Sequence, residues 1–196
     1  MNVERFDLAA IAAQPWKNGA GLTREIARGG PHGTDFDWRI SLAEVERDAP
    51  FSAFPGIDRC IVLLRGAGMK LRSADGSIDH RLTDPLVPFH FSGDIPLDAT
   101  LAGGASSDFN VMTRRSHLRS EVSCHREAST LPGALITLLL CAEGGWIVET
   151  DDGPQRLEPL QALLWREPLA SVKAWPTVAA TPSSILLVRL CHDQNP

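Results

Sequence analysis

Apolar and polar residues along this chain alternate with a period of two, not the 3.6 of a helix. Phe36, Trp38, Ile40 and Leu42 fall on one side of an extended segment and Asp37, Arg39, Ser41 and Ala43 on the other, the pattern of a half-buried strand. Similar short runs predict strands over 60–64, 69–73, 77–82, 87–91, 97–101, 109–114, 135–141, 146–149, 162–165, 172–175 and 185–191. Turn signals separate them: Gly66-Ala67-Gly68, Asp75-Gly76, Ser92-Gly93, Gly103-Gly104, Gly144-Gly145 and Asp152-Gly153. No stretch carries a long amphipathic helix, and 42–45 and 116–121 hold at most a turn or two. Short strands punctuated this regularly predict an all-β sandwich or barrel.

A longer repeat overlies the alternation. Leu63-Leu64, Gly68, Asp75-Gly76, Arg81-Leu82, Asp84-Pro85-Leu86 and Phe91 return in the same order as Leu139-Leu140, Gly144, Asp152-Gly153, Arg156-Leu157, Glu158-Pro159-Leu160 and Trp165. The offset is about 75 residues, the length of a domain of strands and not of a solenoid unit. Two tandem jelly-roll barrels are therefore expected, over 1–115 and 116–196, with strands free to exchange between the halves and 107–127 crossing from one to the other.

With 196 residues, 43% of them hydrophobic and 22% charged, the chain has the composition of an ordinary globular protein with a substantial core. A formal charge of -5 without any Lys/Arg cluster argues against a nucleic-acid partner. The longest apolar runs are too short to span a bilayer and the N-terminus lacks a signal-peptide pattern, so a cytoplasmic protein without a membrane partner is expected. Cys60, Cys124, Cys141 and Cys191 lack close spacing and read as free thiols. The histidines, His32, His80, His90, His117, His125 and His192, are too scattered for the His-x-His ligand pattern, so no metal and no other cofactor is expected.

The residues that break the apolar pattern gather in the first half. Pro15-Trp16-Lys17-Asn18-Gly19-Ala20-Gly21 combines an indole, a cation, an amide and permissive glycines, a mixture suited to recognition, and leads into Thr23 and Glu25. Arg39 and Ser41 occupy the polar side of their strand, Arg59 follows Phe51-Ser52-Ala53-Phe54-Pro55-Gly56-Ile57-Asp58, and Asn110, Met112 and Arg114 share a later strand. Cations and amides turned into a barrel suit a carboxylate, which an arginine grips through charge-assisted hydrogen bonds. For Arg39 the sequence leaves two readings, a ligand contact in the lumen or a salt bridge to Glu25 or Asp37. Nucleophile and dinucleotide motifs are lacking.

Taken together, the segments 15–27, 37–43, 51–59, 91–94 and 108–112 resemble the HutD/Ves family, in order and over the right length. The resemblance implies a bicupin, two cupin-type barrels in one chain without the cupin metal set, whose motif residues surround a pocket in the N-terminal barrel. It further implies a modulator of histidine utilisation that senses a small carboxylate such as urocanate or a formylated product, or a stress-associated protein. The expected ligand site is Trp16, Lys17, Asn18, Thr23, Glu25, Arg39, Ser41, Phe51, Arg59, Asn110, Met112 and Arg114, with a small anionic metabolite as partner and room for a homodimer. The competing expectations are an enzyme, metal-dependent or metal-free, using Glu25 as base, and a protein-interaction module. The chain departs from the family pattern at Ala20, where glycine is frequent.

Overall fold

The computed structural model describes residues 2–31, 35–178 and 181–193; His32 lies outside them. Its strands are β1 (Val3–Asp7), β2 (Gln14–Pro15), β3 (Gly21–Gly29), β4 (Trp38–Val45), β5 (Ala49–Phe51), β6 (Ile57–Arg65), β7 (Met69–Ser73), β8 (Asp79–Leu82), β9 (Pro88–Ser92) and β10 (Leu97–Leu101). They continue as β11 (Ser106–Arg114), β12 (Leu118–His125), β13 (Ser129–Pro132), β14 (Ile136–Glu143), β15 (Trp146–Thr150), β16 (Gly153–Leu157), β17 (Gln161–Trp165), β18 (Ser171–Pro176) and β19 (Ser184–His192). The described residues contain no helix. The segments 42–45 and 116–121, read as helical turns, instead end β4 and begin β12, because strand pairing overrides a weak local helix preference.

The chain divides into two compact units. Residues 11–119 build a six-stranded sheet, β2-β3-β4-β11-β6-β9, and a four-stranded sheet, β5-β10-β7-β8. Val45, Ile61, Leu63, Met69, Leu71, Leu97 and Ala99, contributed by both sheets, share one core cluster. In the other unit, residues up to Ala10 join those from Ser120 onward, since β1 pairs with β17 at Phe6 and Ala162. It too has two sheets, β1-β17-β14-β19-β12 and β13-β18-β15-β16, over a core built on Trp146, Leu139, Leu163 and Leu187. The expected boundary at 115/116 thus becomes a break near 119/120 with the N-terminal strand on the other side, and the expected crossover is two strands joined by a turn at 115–117.

The repeat read from the sequence is a repeat of topology. The order β5-β10-β7-β8 returns as β13-β18-β15-β16, and β4-β11-β6-β9 returns as β12-β19-β14-β17. Even the strained corner is copied: Leu86 and Leu160 both adopt left-handed backbone, at φ 64 and 67. Each N–H is held by the strand of its own unit, Leu86 N by Leu63 O at 2.9 Å and Leu160 N by Cys141 O at 2.8 Å. The sheets are open sandwiches and not the closed barrels expected, because the end strands of each sheet pair on one side only. Five of the six strand prolines sit on those ends, Pro15 on β2, Pro50 on β5, Pro88 on β9, Pro132 on β13 and Pro154 on β16, and the sixth, Pro176, is the last residue of the interior strand β18. A residue without an N–H is tolerated at a sheet edge and discourages further pairing there.

Candidate functional site

The register of the six-stranded sheet sets the site. Met112 on β11 lies opposite Arg39 on β4 and Arg59 on β6, and one step along, Asn110 lies opposite Ser41. Cross-strand partners share a face, so Arg39, Ser41, Arg59, Asn110 and Met112 are turned to the interior together. Ile40, Leu42 and Val111 are buried on the opposite face. The inward row lines a cavity of about 660 Å³.

At its mouth the chain makes a tight return between β2 and β3. Trp16 N donates to Gly21 O and Gly19 N to Trp16 O, each at 2.9 Å, with Gly19 at φ 66. This turn sets out Trp16, Lys17 and Asn18 along the cavity rim. Asn18 Oδ1 accepts from Ala20 N at 3.1 Å, which leaves the amide NH₂ as the side chain's free donor. Trp16 Nε1 donates to Thr23 Oγ1 at 2.7 Å, and its ring meets Phe51 edge-on at 5.9 Å. Ala20 is buried in backbone conformation open to any residue and lies outside the cavity lining, so the methyl group that departs from the family pattern does not narrow the cavity.

Arg59 is the unusual member. It is 7% exposed and stands among three rings, with its guanidinium carbon 4.9 Å from the centroid of Phe91, 5.5 Å from Phe54 and 5.6 Å from Phe51. Nη2 donates to Asn110 Oδ1 at 3.1 Å and Nη1 to Ser52 O at 3.4 Å, while the buried Nε has no partner. Among the described residues no carboxylate pairs with it. Burial, and then the nearby charge of Arg39, lower its pKa to about 10.

Arg39 answers both readings left open by the sequence. Its Nε donates to Glu25 Oε2 at 2.7 Å, yet the side chain also lines the cavity, and among the described residues its terminal nitrogens form no hydrogen bond. Glu25 serves here as Arg39's partner and is not itself part of the lining. The lining carries three cations, Lys17, Arg39 and Arg59, and no acid.

Of the expected site residues, Trp16, Lys17, Asn18, Thr23, Arg39, Ser41, Phe51, Arg59, Asn110 and Met112 meet in this cavity. Arg114 does not. At the end of β11 it turns to the 35–37 segment, pairing with Asp35, with Asp37 at 3.4 Å and with Phe36 O at 3.0 Å. The cavity also uses Gln14, Pro15, Ala43, Pro50, Ser52 and Phe54, which the sequence reading did not assign as ligand contacts. Ser52 and Phe54 belong to the same aromatic segment as Phe51, which was their signal. Gln14 and Pro50 sit on very short edge strands without any periodicity to reveal them. Among the described residues no group of three or more His, Cys, Asp or Glu side chains is placed to hold a metal ion.

A family model matches residues 8–183, and it is that of HutD. The chain belongs to the HutD family. Among solved structures, a conserved protein of unknown function from Pseudomonas aeruginosa PAO1 is 33% identical, with 97% of this chain and 100% of that chain covered at a TM-score of 0.84. HutD from Pseudomonas fluorescens SBW25, solved in a formate condition, is 26% identical over 96% of this chain and 99% of its own, at a TM-score of 0.81. A cupin 2 conserved barrel domain protein from Leptotrichia buccalis shares the fold at 10% identity and a TM-score of 0.61, covering 96% of this chain and 97% of its own. HutD-family membership and a cupin-like, all-β fold are thus established together. No helix of the described residues is long and apolar enough to cross a membrane.

Proposed function

We propose that this HutD-family protein is a cytoplasmic bicupin whose residue 11–119 unit binds a small carboxylate metabolite, with a role in modulating histidine utilisation. The observation that carries this reading is Arg59, a buried guanidinium with a free Nε and no protein counter-ion at the wall of a cavity. An unpaired buried charge is costly, and an anion that supplies the missing partner recovers that cost on binding. A carboxylate reaching the Arg59 guanidinium from the cavity also comes within range of Arg39, whose terminal nitrogens are free, so both guanidinium groups grip one anion. Ser41 and Asn110 orient it, Lys17 and the Asn18 amide meet it from the rim, and Trp16, Phe51, Phe54 and Met112 wall the rest of the molecule.

Isothermal calorimetry with urocanate and with formate tests the reading. Saturable heat with one binding site per chain is expected, and an unchanged heat trace at millimolar concentrations of both would overturn it.

A further inference from the structure

Beneath the cavity lies a group that the anion reading leaves unused. Asp108 is fully buried on β11, two residues from Asn110 and therefore on the same face. It lies opposite Ala43, itself a cavity residue, and opposite Leu63 in the core. Ser106 Oγ donates to Asp108 Oδ1 at 3.1 Å, and Oδ2 is buried without a partner. Asn110 bridges the main chain at Asp108 and the arginine: its Nδ2 donates to the backbone carbonyl of Asp108 at 3.3 Å while its Oδ1 accepts from Arg59 Nη2.

We propose that Asp108 couples anion binding in this cavity to the uptake of one proton and so sets the pH range over which the cavity accepts an anion. The inference rests on the carboxylate reading of the cavity. An ionised Asp108 and a bound carboxylate are like charges on the same wall in a desolvated interior, where such pairs repel strongly. An ionised Asp108 also offsets Arg59, the charge the ligand needs. Binding therefore favours the neutral acid. The free protein above neutral pH holds a carboxylate at Asp108, and the ligand complex holds a carboxylic acid whose proton comes from solvent. Burial raises the pKa of Asp108 to about 7, against a smaller opposing effect of the Ser106 hydrogen bond, which places the exchange near neutrality.

The other chargeable groups turned to this interior are few. They are Lys17 at the rim, Arg59 on β6, Arg39 on β4 with its partner Glu25 on β3, and His80 on β8, which lies opposite core residue Leu71 and stacks on Phe89 at 3.6 Å. The inward positions of β5, β7, β9 and β10 are apolar, apart from Ser73. Desolvation lowers the pKa of His80 from its ordinary value, against a smaller opposing effect of Asp84.

Calorimetry with formate as the probe, on the intact protein, tests the inference, because formate stays ionised from about pH 5.5 to 8.5 and adds no titration of its own. In the wild type the affinity is expected to fall about tenfold across that range. At the alkaline end, titrations in buffers of different ionisation enthalpy should show proton uptake on binding. Asp108→Asn should bind formate with pH-independent affinity. A flat wild-type profile, binding without proton exchange, or an unchanged slope in Asp108→Asn would each overturn the proposal while leaving the carboxylate site standing. Absence of formate binding at every pH would overturn the proposal, and would remove the site as well only if urocanate also failed to bind. The buffer comparison needs only the wild type, so it decides the matter even if Asp108→Asn fails to fold.

Discussion

Arg59 Nη2 donates a 3.1 Å hydrogen bond to Asn110 Oδ1, and that amide is the only side chain among the described residues that accepts a hydrogen bond from the buried guanidinium. A neutral amide satisfies the geometry of an arginine without neutralising its charge. The pair therefore presents a fixed cation that still lacks an anion, which is what a carboxylate receptor requires.

Replacing the amide separates the two effects. Asn110→Ala leaves Arg59 Nη2 unpartnered, at a stability cost of about 1–3 kcal/mol. Asn110→Asp supplies the anion internally, so it should retain or raise stability while weakening carboxylate binding more than the alanine does. Thermal melts and calorimetric titration of both variants check the ordering.

Arg59→Met keeps an apolar stem among Phe51, Phe54 and Phe91 and removes the uncompensated charge. The melting temperature should stay level or rise, by about 2–4 °C for each kcal/mol gained. Carboxylate affinity should drop by at least about tenfold. A large fall in melting temperature would mean that the charge is satisfied within the protein after all.

Asp108 gives a pH signature in stability. Its folded pKa, about 7, lies above the unfolded carboxylate value of about 3.9. Between those values the folded chain retains a proton that the unfolded chain has released, so stability falls as pH rises through this window and levels off above it. The full effect is at most about 4 kcal/mol. Asp108→Asn should flatten the curve, gaining most over wild type above neutral pH, as chemical denaturation at a series of pH values would show.

Gly93 tests how the aromatic wall is positioned. Its N donates to Ile57 O at 2.7 Å and its carbonyl accepts from Phe54 N at 2.7 Å. A Cβ there would lie 2.7 Å from Ile57 O and 2.9 Å from Phe54 O, both backbone atoms that cannot move aside independently. Gly93→Ala should cost about 1–3 kcal/mol and displace Phe54, weakening ligand affinity as well as lowering the melting temperature.

Much of the site was legible because alternation on β4 and β11 reports which residues share a face. Arg39 with Ser41, and Asn110 with Met112, could be grouped before any register was known. Arg114 follows the same parity yet leaves the group, since the last residue of a strand is free to turn toward a neighbouring loop, where Asp35 and Asp37 attract it. Asp108 stood in plain view beside Phe109 and Asn110, but burial is what makes a carboxyl unusual, and burial depends on the flanking strands. Of the strands left unread, β1, β2, β5, β12, β13 and β16 lie at sheet edges, while β3 lies one place inside the edge, between β2 and β4. Edge strands are short, tolerate proline and need only one apolar face, so the alternation that marks a central strand is diluted there.

The most direct test of the central claim is a crystal structure of the protein with urocanate. The carboxylate should lie between the two arginines, within about 3.2 Å of a guanidinium nitrogen of Arg59 and of a terminal nitrogen of Arg39. Urocanate bound elsewhere, or a saturated crystal in which the Arg59 guanidinium still lacks an anion, would contradict the account.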